Sequence, residues 1–447
     1  MSEKYKVLIG PSALDCNRGD QTLVWMAIEE IRNTWPDCQI AIMSNGYEDP
    51  NDNQSCQTKQ LGIKVLPPLL PNPRRATGKS DDEIIDTGFS LIKMQLRAIL
   101  DFFQMFLLLH LPDTKGIARL FLGKQRYETY KYLKQCKAFV LKGGGYIYSY
   151  VGLKWQYYIW FGLFPIRMAL KYGIKVIILP NSFGPFDSRF GKRLAKKVLR
   201  SCDFVASREK KSYETISNLI QEKAKVYPDM GFALETDDIE WARSTLLEKG
   251  VPLGQKKCVG ITMRPWRFPN DADPGKKYKA YIKVFADLIK YLIDNDYAPV
   301  LFAHVIGPHA HEDDRIALKD VIGKLSEDGQ FLYVDGDYNC KQIKAFYHFM
   351  DSMVCTRFHS AIFSIAQEIP CLAISYQGYK AIGIMEEIGL SEYTFDIGDL
   401  DSDSMISAFE KMQNNKQTIK TNMRTFMKNV KVQMKELSSL VSGILSQ

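Results

Sequence analysis

Arg357 and His359 stand two residues apart in TRFHS (356–360), after the apolar run SMVC and before the apolar run AIFSIA. An arginine at a strand end offers a permanent charge in a planar fork that matches a carboxylate or phosphate. A histidine in the first turn of a helix can give or take a proton near neutral pH. The backbone N–H groups and the helix dipole there also favour an anion, and Thr356 adds a hydroxyl donor. The trio suits binding an anionic substrate and protonating it; a structural histidine at a helix start is the competing interpretation.

Other residues of the same chemistry recur where apolar runs end. Arg264 closes ITMR and can grip an anion in the same way, or form a surface ion pair. Arg208 in SREKKS has similar placement, with Lys and Glu neighbours that also fit a solvated helix start. Gly143, Gly144 and Gly145 follow AFVLK and would either cradle an anion with backbone N–H groups or make a tight turn. Asp20, between a glycine and a helix, is a candidate catalytic carboxylate or an ordinary helix cap. His304, His309 and His311 lie near HEDD, but H-x-H without a partner Cys or His fits a loop or site rim better than a metal centre. No metal is expected, and the absence of G-x-x-x-x-G-K-[ST] argues against a P-loop kinase.

The elements that must position these groups alternate between strand and helix. YKVLIG, QIAIMSN, AFVLK, IKVIILP and FVAS in the first half, then KCVGITM, APVLFAH, FLYV, SMVC and IPCLAIS in the second, are unbroken apolar runs. Such runs fit parallel strands covered on both faces, and helical segments separate most of them. The fold expected is α/β, two Rossmann-like domains facing a cleft. The first domain spans about 1–240, with an apolar and loop insert at about 67–130; the second spans about 250–415; a helical tail covers 416–447. In open α/β sheets ligands sit beyond the carboxyl ends of the strands, and nearly every polar or glycine-rich cluster falls there.

Composition narrows the class. The 447 residues, 46% apolar and 25% charged, suffice for two globular cores. The net charge of +8 is scattered rather than gathered in a basic stripe, which disfavours nucleic acid and suits anionic small molecules or an anionic membrane surface. Nine well-spaced cysteines without a C-x-x-C pair fit reduced thiols in a cytoplasmic protein. The N-terminus lacks a signal-peptide pattern. Residues 89–111, FSLIKMQLRAILDFFQMFLLLHL, are strongly apolar but interrupted by Lys93, Arg97 and Asp101. A spanning helix needs about 20 residues nearly free of charge. The segment is expected to be a core helix or an interfacial one, with peripheral contact at the inner face of the plasma membrane.

CTRFHSAIFSIAQEIPCLAISYQGYK resembles the polysaccharide pyruvyl transferase family, in which Arg-x-His precedes a helix, an apolar strand and a loop with Tyr and Lys. NRGDQTLVWMAIEEI, LKGGG, PNSFGPF, SREKKS and YPDMGFAL add matches along both halves in the expected order. The resemblance implies a glycosyltransferase type B-like fold with an acceptor-side first domain and a donor-side second one. It implies transfer of pyruvate from phosphoenolpyruvate, as co-substrate and without another cofactor, onto a saccharide acceptor as a ketal, with a lipid-linked acceptor allowed. His359 would transfer the proton, and Arg264, Arg357 and Lys380 would hold the donor's anions. Phe358 stands where the family is expected to carry Leu, and YQGYK loosens the usual Tyr-to-Lys spacing. Two other classes remain open. A nucleotide-sugar glycosyltransferase of the same fold would use Asp335, Asp337 and Tyr338 for the nucleoside; a non-catalytic assembly protein would use 89–111 as a membrane contact.

Overall fold

All the unbroken apolar runs but FLYV, which lies at a sheet edge, become inner strands of two parallel sheets in the computed structural model, which describes residues 5–11, 15–44, 56–73, 88–112, 115–269, 271–307, 310–325, 331–376 and 380–447. The chain forms two units. One holds Met1–Asp15, Leu23–Met230 and Gln433–Gln447; the other holds Cys16–Thr22 and Gly231–Val432. The units are therefore not simple consecutive halves. The short segment 16–22 groups with the second unit, and the expected tail is divided between the two.

In the first unit the strands are β1 (Lys6–Ile9), β2 (Gln39–Met43), β3 (Lys64–Leu66), β4 (Ala138–Leu141), β5 (Gly144–Ser149), β6 (Lys175–Phe186), β7 (Phe204–Ser207) and β8 (Ala224–Val226). They run in the order β3-β2-β1-β4-β6-β7-β8, with β5 paired to β6 off this path. The helices are α1 (Arg18–Thr34), whose first turn belongs to the other unit, then α2 (Cys56–Gln60), α3 (Gly88–His110), α4 (Lys115–Leu133), α5 (Leu153–Lys171), α6 (Arg189–Ser201) and α7 (Lys210–Ile220). Phe139, Leu141, Val176 and Ile178 fill the core with Phe164 of α5, each such side chain contributing about 2–3 kcal/mol by leaving water. Gly173, at φ 66°, occupies the left-handed position past α5 where a Cβ would be strained.

The insert contains α3 and most of α4. One face of α3 is anchored to the first unit. Met105 and Leu108 enter the core, Phe102 packs on Trp160 with ring centroids 4.8 Å apart, and buried Asp101 pairs with Arg97 at 3.0 Å. Lys171 donates to the carbonyls of Leu108 and Leu111 at 2.7 and 2.8 Å, satisfying groups at the helix end.

The second unit repeats the plan. Its sheet runs β11 (Leu332–Val334), β10 (Tyr297–Phe302), β9 (Lys257–Thr262), β12 (Ser352–Cys355), β13 (Cys371–Ser375), β14 (Thr394–Asp396). The helices are α8 (Ile239–Glu248), α9 (Pro274–Asp294), α10 (Asp314–Ile322), α11 (Cys340–Tyr347), α12 (Phe358–Ala366), α13 (Lys380–Glu387), α14 (Ser402–Asn414) and α15 (Lys416–Ser446), the last of which belongs to the first unit from Gln433 onward. Their starts follow local chemistry. Asp273 accepts from the Lys276 N–H ahead of Pro274, and Asn339 and Gln342 form a reciprocal capping box. Both sheets reverse strand order at one point, between β1 and β4 and between β9 and β12. That reversal is where an open parallel sheet leaves room for a ligand.

Candidate functional site

Arg264 and Arg357 leave the two strands that flank the reversal of the second sheet. β9 and β12 pair in parallel as far as Thr262 beside Cys355. Thr356 ties the strand ends together, its N–H donating to Thr262 Oγ1 at 3.3 Å and its hydroxyl to Thr262 O at 3.0 Å. Ser360 Oγ lies 3.0 Å from Thr262 Oγ1 and donates to Arg357 O at 2.6 Å. This hydroxyl web fixes the strand-to-helix turn from which Arg357 and His359 project.

Arg357 takes the cap position of α12 but its side chain does not cap that helix. Its Nε and Nη2 donate to Asp314 Oδ1 at 2.9 and 2.6 Å, its Nη1 to Glu312 Oε2 at 3.0 Å, and its Nη2 also to Glu312 O at 2.6 Å. Asp314, fully buried, accepts the His304 and Val305 N–H groups on its other oxygen at 3.0 and 2.9 Å. Burial lifts the Asp314 carboxyl to about 6 against the pull of Arg357, and the two carboxylates hold the Arg357 guanidinium firmly protonated despite its burial. Arg264 donates from Nη2 to the other Glu312 oxygen at 3.3 Å. Its guanidinium lies 3.8 Å from the Tyr376 ring centroid and 4.7 Å from that of Trp266. Its buried Nε has no hydrogen-bond partner among the described residues. Burial, then the neighbouring Arg357 charge, lowers the Arg264 pKa. Glu312 thus bridges both arginines. Burial would raise its carboxyl, but Arg357 and Arg264 outweigh that and hold it below the usual range.

His359 meets the segment 16–22. Gly19 lies so close to its ring that an added Cβ would stand 2.6 Å from Cγ and 3.0 Å from Cε1. Backbone pairing seats this segment: Arg18 N–H donates to His304 O at 3.2 Å and Ile306 N–H to Cys16 O at 2.9 Å. Asn17, rather than Asp20, caps α1. Its Oδ1 accepts the N–H groups of Gly19 and Asp20 at 3.1 and 3.3 Å, and its Nδ2 donates to Asp20 Oδ2 at 3.1 Å. Buried Arg18 pairs with Asp337 at 2.5 Å. His304 is buried, with Nδ1 3.2 Å from the Tyr347 hydroxyl. Burial and the charges of His359, Arg357 and Arg18 depress its pKa well below the ordinary histidine value, leaving a neutral imidazole.

The sequence candidates therefore separate into groups. Arg264, Arg357, His359 and Asp20 belong to the second unit. Gly143, Gly144, Gly145 and Arg208 belong to the first, at the carboxyl ends of its strands, where Gly144 registers with Asn181 and Asn181 with Ser207. Gly144 and Gly145 open strand β5 instead of forming a loop, because backbone pairing with β6 begins at Gly144. A side chain at Gly143 would stand 2.7 Å from Pro180 O, so close strand approach accounts for that glycine. Arg208 is not presented as a strand-end cation: its Nη1 donates to fully buried Asp229 at 2.7 Å and its Nε to Ser182 Oγ at 2.9 Å. Lys380 opens α13, and its side chain lies outside the described residues, as does His309. Among the nucleoside candidates, Asp337 holds Arg18 and Tyr338 packs edge-on against Phe346 at 4.7 Å. Glu312 and Asp314 were not singled out as site partners from the sequence, and the polar cluster HEDD after β10 was their local signal; Arg18 and Gly19 stood only within the family match NRGDQ, and His304 only as a loop or site-rim histidine.

Two parallel-sheet α/β units, one carrying two arginines and a histidine at its strand reversal, define a protein with the glycosyltransferase type B-like fold. The chain belongs to the polysaccharide pyruvyl transferase family, whose model matches residues 17–378, and it is accordingly a member of a transferase family. Amylovoran biosynthesis protein AmsJ of Erwinia amylovora is 24% identical over 291 residues, covering 64% of this chain and 68% of that protein. A UDP-forming α,α-trehalose-phosphate synthase from Burkholderia xenovorans superposes with a TM-score of 0.51 at 11% identity, covering 100% of this chain and 99% of that one. The E. coli trehalose-6-phosphate structure bound with UDP-2-fluoro glucose gives 0.51 at 11% identity, covering 98% and 99%. These last two likenesses concern the fold.

Proposed function

We propose that the protein moves the pyruvate carbons of phosphoenolpyruvate onto a sugar of an exopolysaccharide or its precursor as a cyclic ketal, releasing phosphate. The observation that carries this reading is the placement of Arg264 and Arg357 just past the strands flanking the sheet reversal, with His359 two residues beyond Arg357. A donor with a carboxylate and a phosphate calls for two cations, and the methylene carbon of its enol phosphate calls for a proton. Family membership and the amylovoran biosynthesis relative support the polysaccharide context.

In the reaction, His359 delivers a proton to the methylene carbon, which becomes the ketal methyl, and C2 becomes electrophilic. A sugar hydroxyl adds to C2 and gives up its proton, for which Asp20 is the candidate base. The C2–O bond to phosphate then breaks, and a second hydroxyl closes the ring on C2, its proton passing to the departing phosphate while the first hydroxyl's proton replaces the one given to carbon. Arg264 and Arg357 stabilise the donor anions and the leaving phosphate, with the Arg264 Nε edge available for a hydrogen bond. Lys380 is a further candidate for the same duty.

Phosphate release should be followed with phosphoenolpyruvate and a panel of glycan acceptors, alongside nucleotide release from UDP- and GDP-sugars. Acceptor-dependent phosphate release that disappears in His359→Ala supports the reading. Nucleotide release without any phosphoenolpyruvate-dependent reaction would overturn it.

A further inference from the structure

The outer face of α3 has no described partner that accounts for its composition. Ile92, Leu96, Ile99, Leu100, Phe103, Phe106 and Leu107 are each 39–59% exposed. At 3.6 residues per turn these seven fall within an arc of about 120° along a helix roughly 35 Å long. The opposite face holds Asp101, Met105 and Leu108, which are buried. A single exposed leucine needs no explanation, but a continuous apolar stripe four turns long marks an interaction surface.

The surrounding charge selects the partner. α3 and α4 together carry seven Lys and Arg residues (93, 97, 115, 119, 124, 126, 131) and two acids, Asp101 and Glu128. That excess of five accounts for more than half of the chain's net +8. Asp101 is buried and paired with Arg97, so that pair is neutral and the excess of five rests on the other basic residues. Lys93 lies at one border of the apolar arc, where a long basic stem can lie along apolar surface with its charge at the edge. Leu120 of α4 is also among the most exposed apolar side chains. Among the described residues no helix is long and apolar enough to cross a membrane. α3 is held along its inner face by Trp160 and at its end by Lys171, which leaves its outer face free to lie on a flat apolar surface.

We infer that the outer face of α3 docks the protein onto an anionic phospholipid bilayer, lying in the plane of the interface with its apolar stripe among the acyl chains and the Lys and Arg residues of α3 and α4 at the phosphates. An apolar face with basic flanks is the pattern by which surface helices recognise such membranes. The inference does not depend on the reaction proposed above.

Flotation of the full chain with vesicles of phosphatidylcholine containing about one third phosphatidylglycerol tests this, with phosphatidylcholine vesicles as the neutral control. Binding to the anionic vesicles should exceed binding to neutral ones at least tenfold and weaken as salt is raised. The triple substitution Leu96→Ser, Ile99→Ser, Phe103→Ser should remove it. Lys93→Glu with Arg119→Glu and Lys124→Glu should reduce it at least tenfold while leaving the apolar stripe intact. Circular dichroism and thermal melting of each variant establish that folding is retained. Absence of vesicle binding, or equal binding by the triple variant, overturns the inference. So does self-association of the wild type that the triple variant abolishes without any vesicle binding, since the face would then join two copies of the chain.

Discussion

The imidazole of His359 rests against the backbone of Gly19, with no room for a methyl group between them. The position demands glycine for space: the residue sits in the first turn of α1, and any side chain there would move the ring. Gly19→Ala is therefore expected to lower kcat for ketal formation about 10–100-fold, since a shift of ~1 Å in a catalytic group costs that much. Thermal melting should change little. Unchanged kcat with normal folding would remove His359 orientation from the account.

Glu312 accepts hydrogen bonds from Arg264 Nη2 and Arg357 Nη1, donors for which the anion of the proposed reaction would compete. Glu312→Gln keeps the shape and removes the competing charge. The KM for phosphoenolpyruvate should fall about fivefold, the equivalent of ~1 kcal/mol for a partly exposed ion pair, with kcat within twofold. Steady-state kinetics over donor concentration decides it; a rise in KM would show that Glu312 helps to position the arginines instead.

Arg208 and Asp229 form a buried pair at 2.7 Å. Arg208→Met leaves a buried carboxylate without its cation and should cost about 3–5 kcal/mol in urea unfolding. Arg208→Met combined with Asp229→Leu should recover most of that loss. Failure of the double variant to recover would place the value of Arg208 in its contact with Ser182 or in a ligand.

Lys344 of α11 donates to Leu234 O, and burial lowers its pKa to about 8. Between about pH 8 and the ordinary lysine value near 10.5, the unfolded chain carries a proton that the folded chain has released. Stability from this group therefore increases as pH rises through that window, by up to roughly 3 kcal/mol. It is lost as pH falls through 8. Urea midpoints at pH 7.5 and 9.5 should show this gain in the wild type and a smaller one in Lys344→Met.

Much of the scaffold was legible because parallel strands buried on both faces must be apolar throughout. AFVL, KVLI and SMVC betray themselves in this way. Arg357 and His359 were legible for the same reason: polar residues where such a run ends have to face the carboxyl edge of the sheet. Their partners were not. Asp314 and Glu312 are more than forty residues away from Arg357 in sequence, and HEDD looks like any solvated loop until β10 lies beside β9. Gly144 and Gly145 were misleading because glycine clusters ordinarily mark turns, whereas pairing to β6 is a property of the sheet. Strand β6 itself continues through Pro180 and Pro185, residues that locally argue for a loop.

The grouping of Cys16–Thr22 with residues 231–432 has a consequence for inheritance and engineering. A recombination event that exchanged the second half of the gene as a cassette would leave Arg18 and Gly19 behind, so Asp337 and His359 would meet whatever the recipient encodes near its start. The surroundings of His359 and the opening of α1 must therefore change together although about 340 residues separate them. Chimaeras of relatives should work only when the crossover carries both.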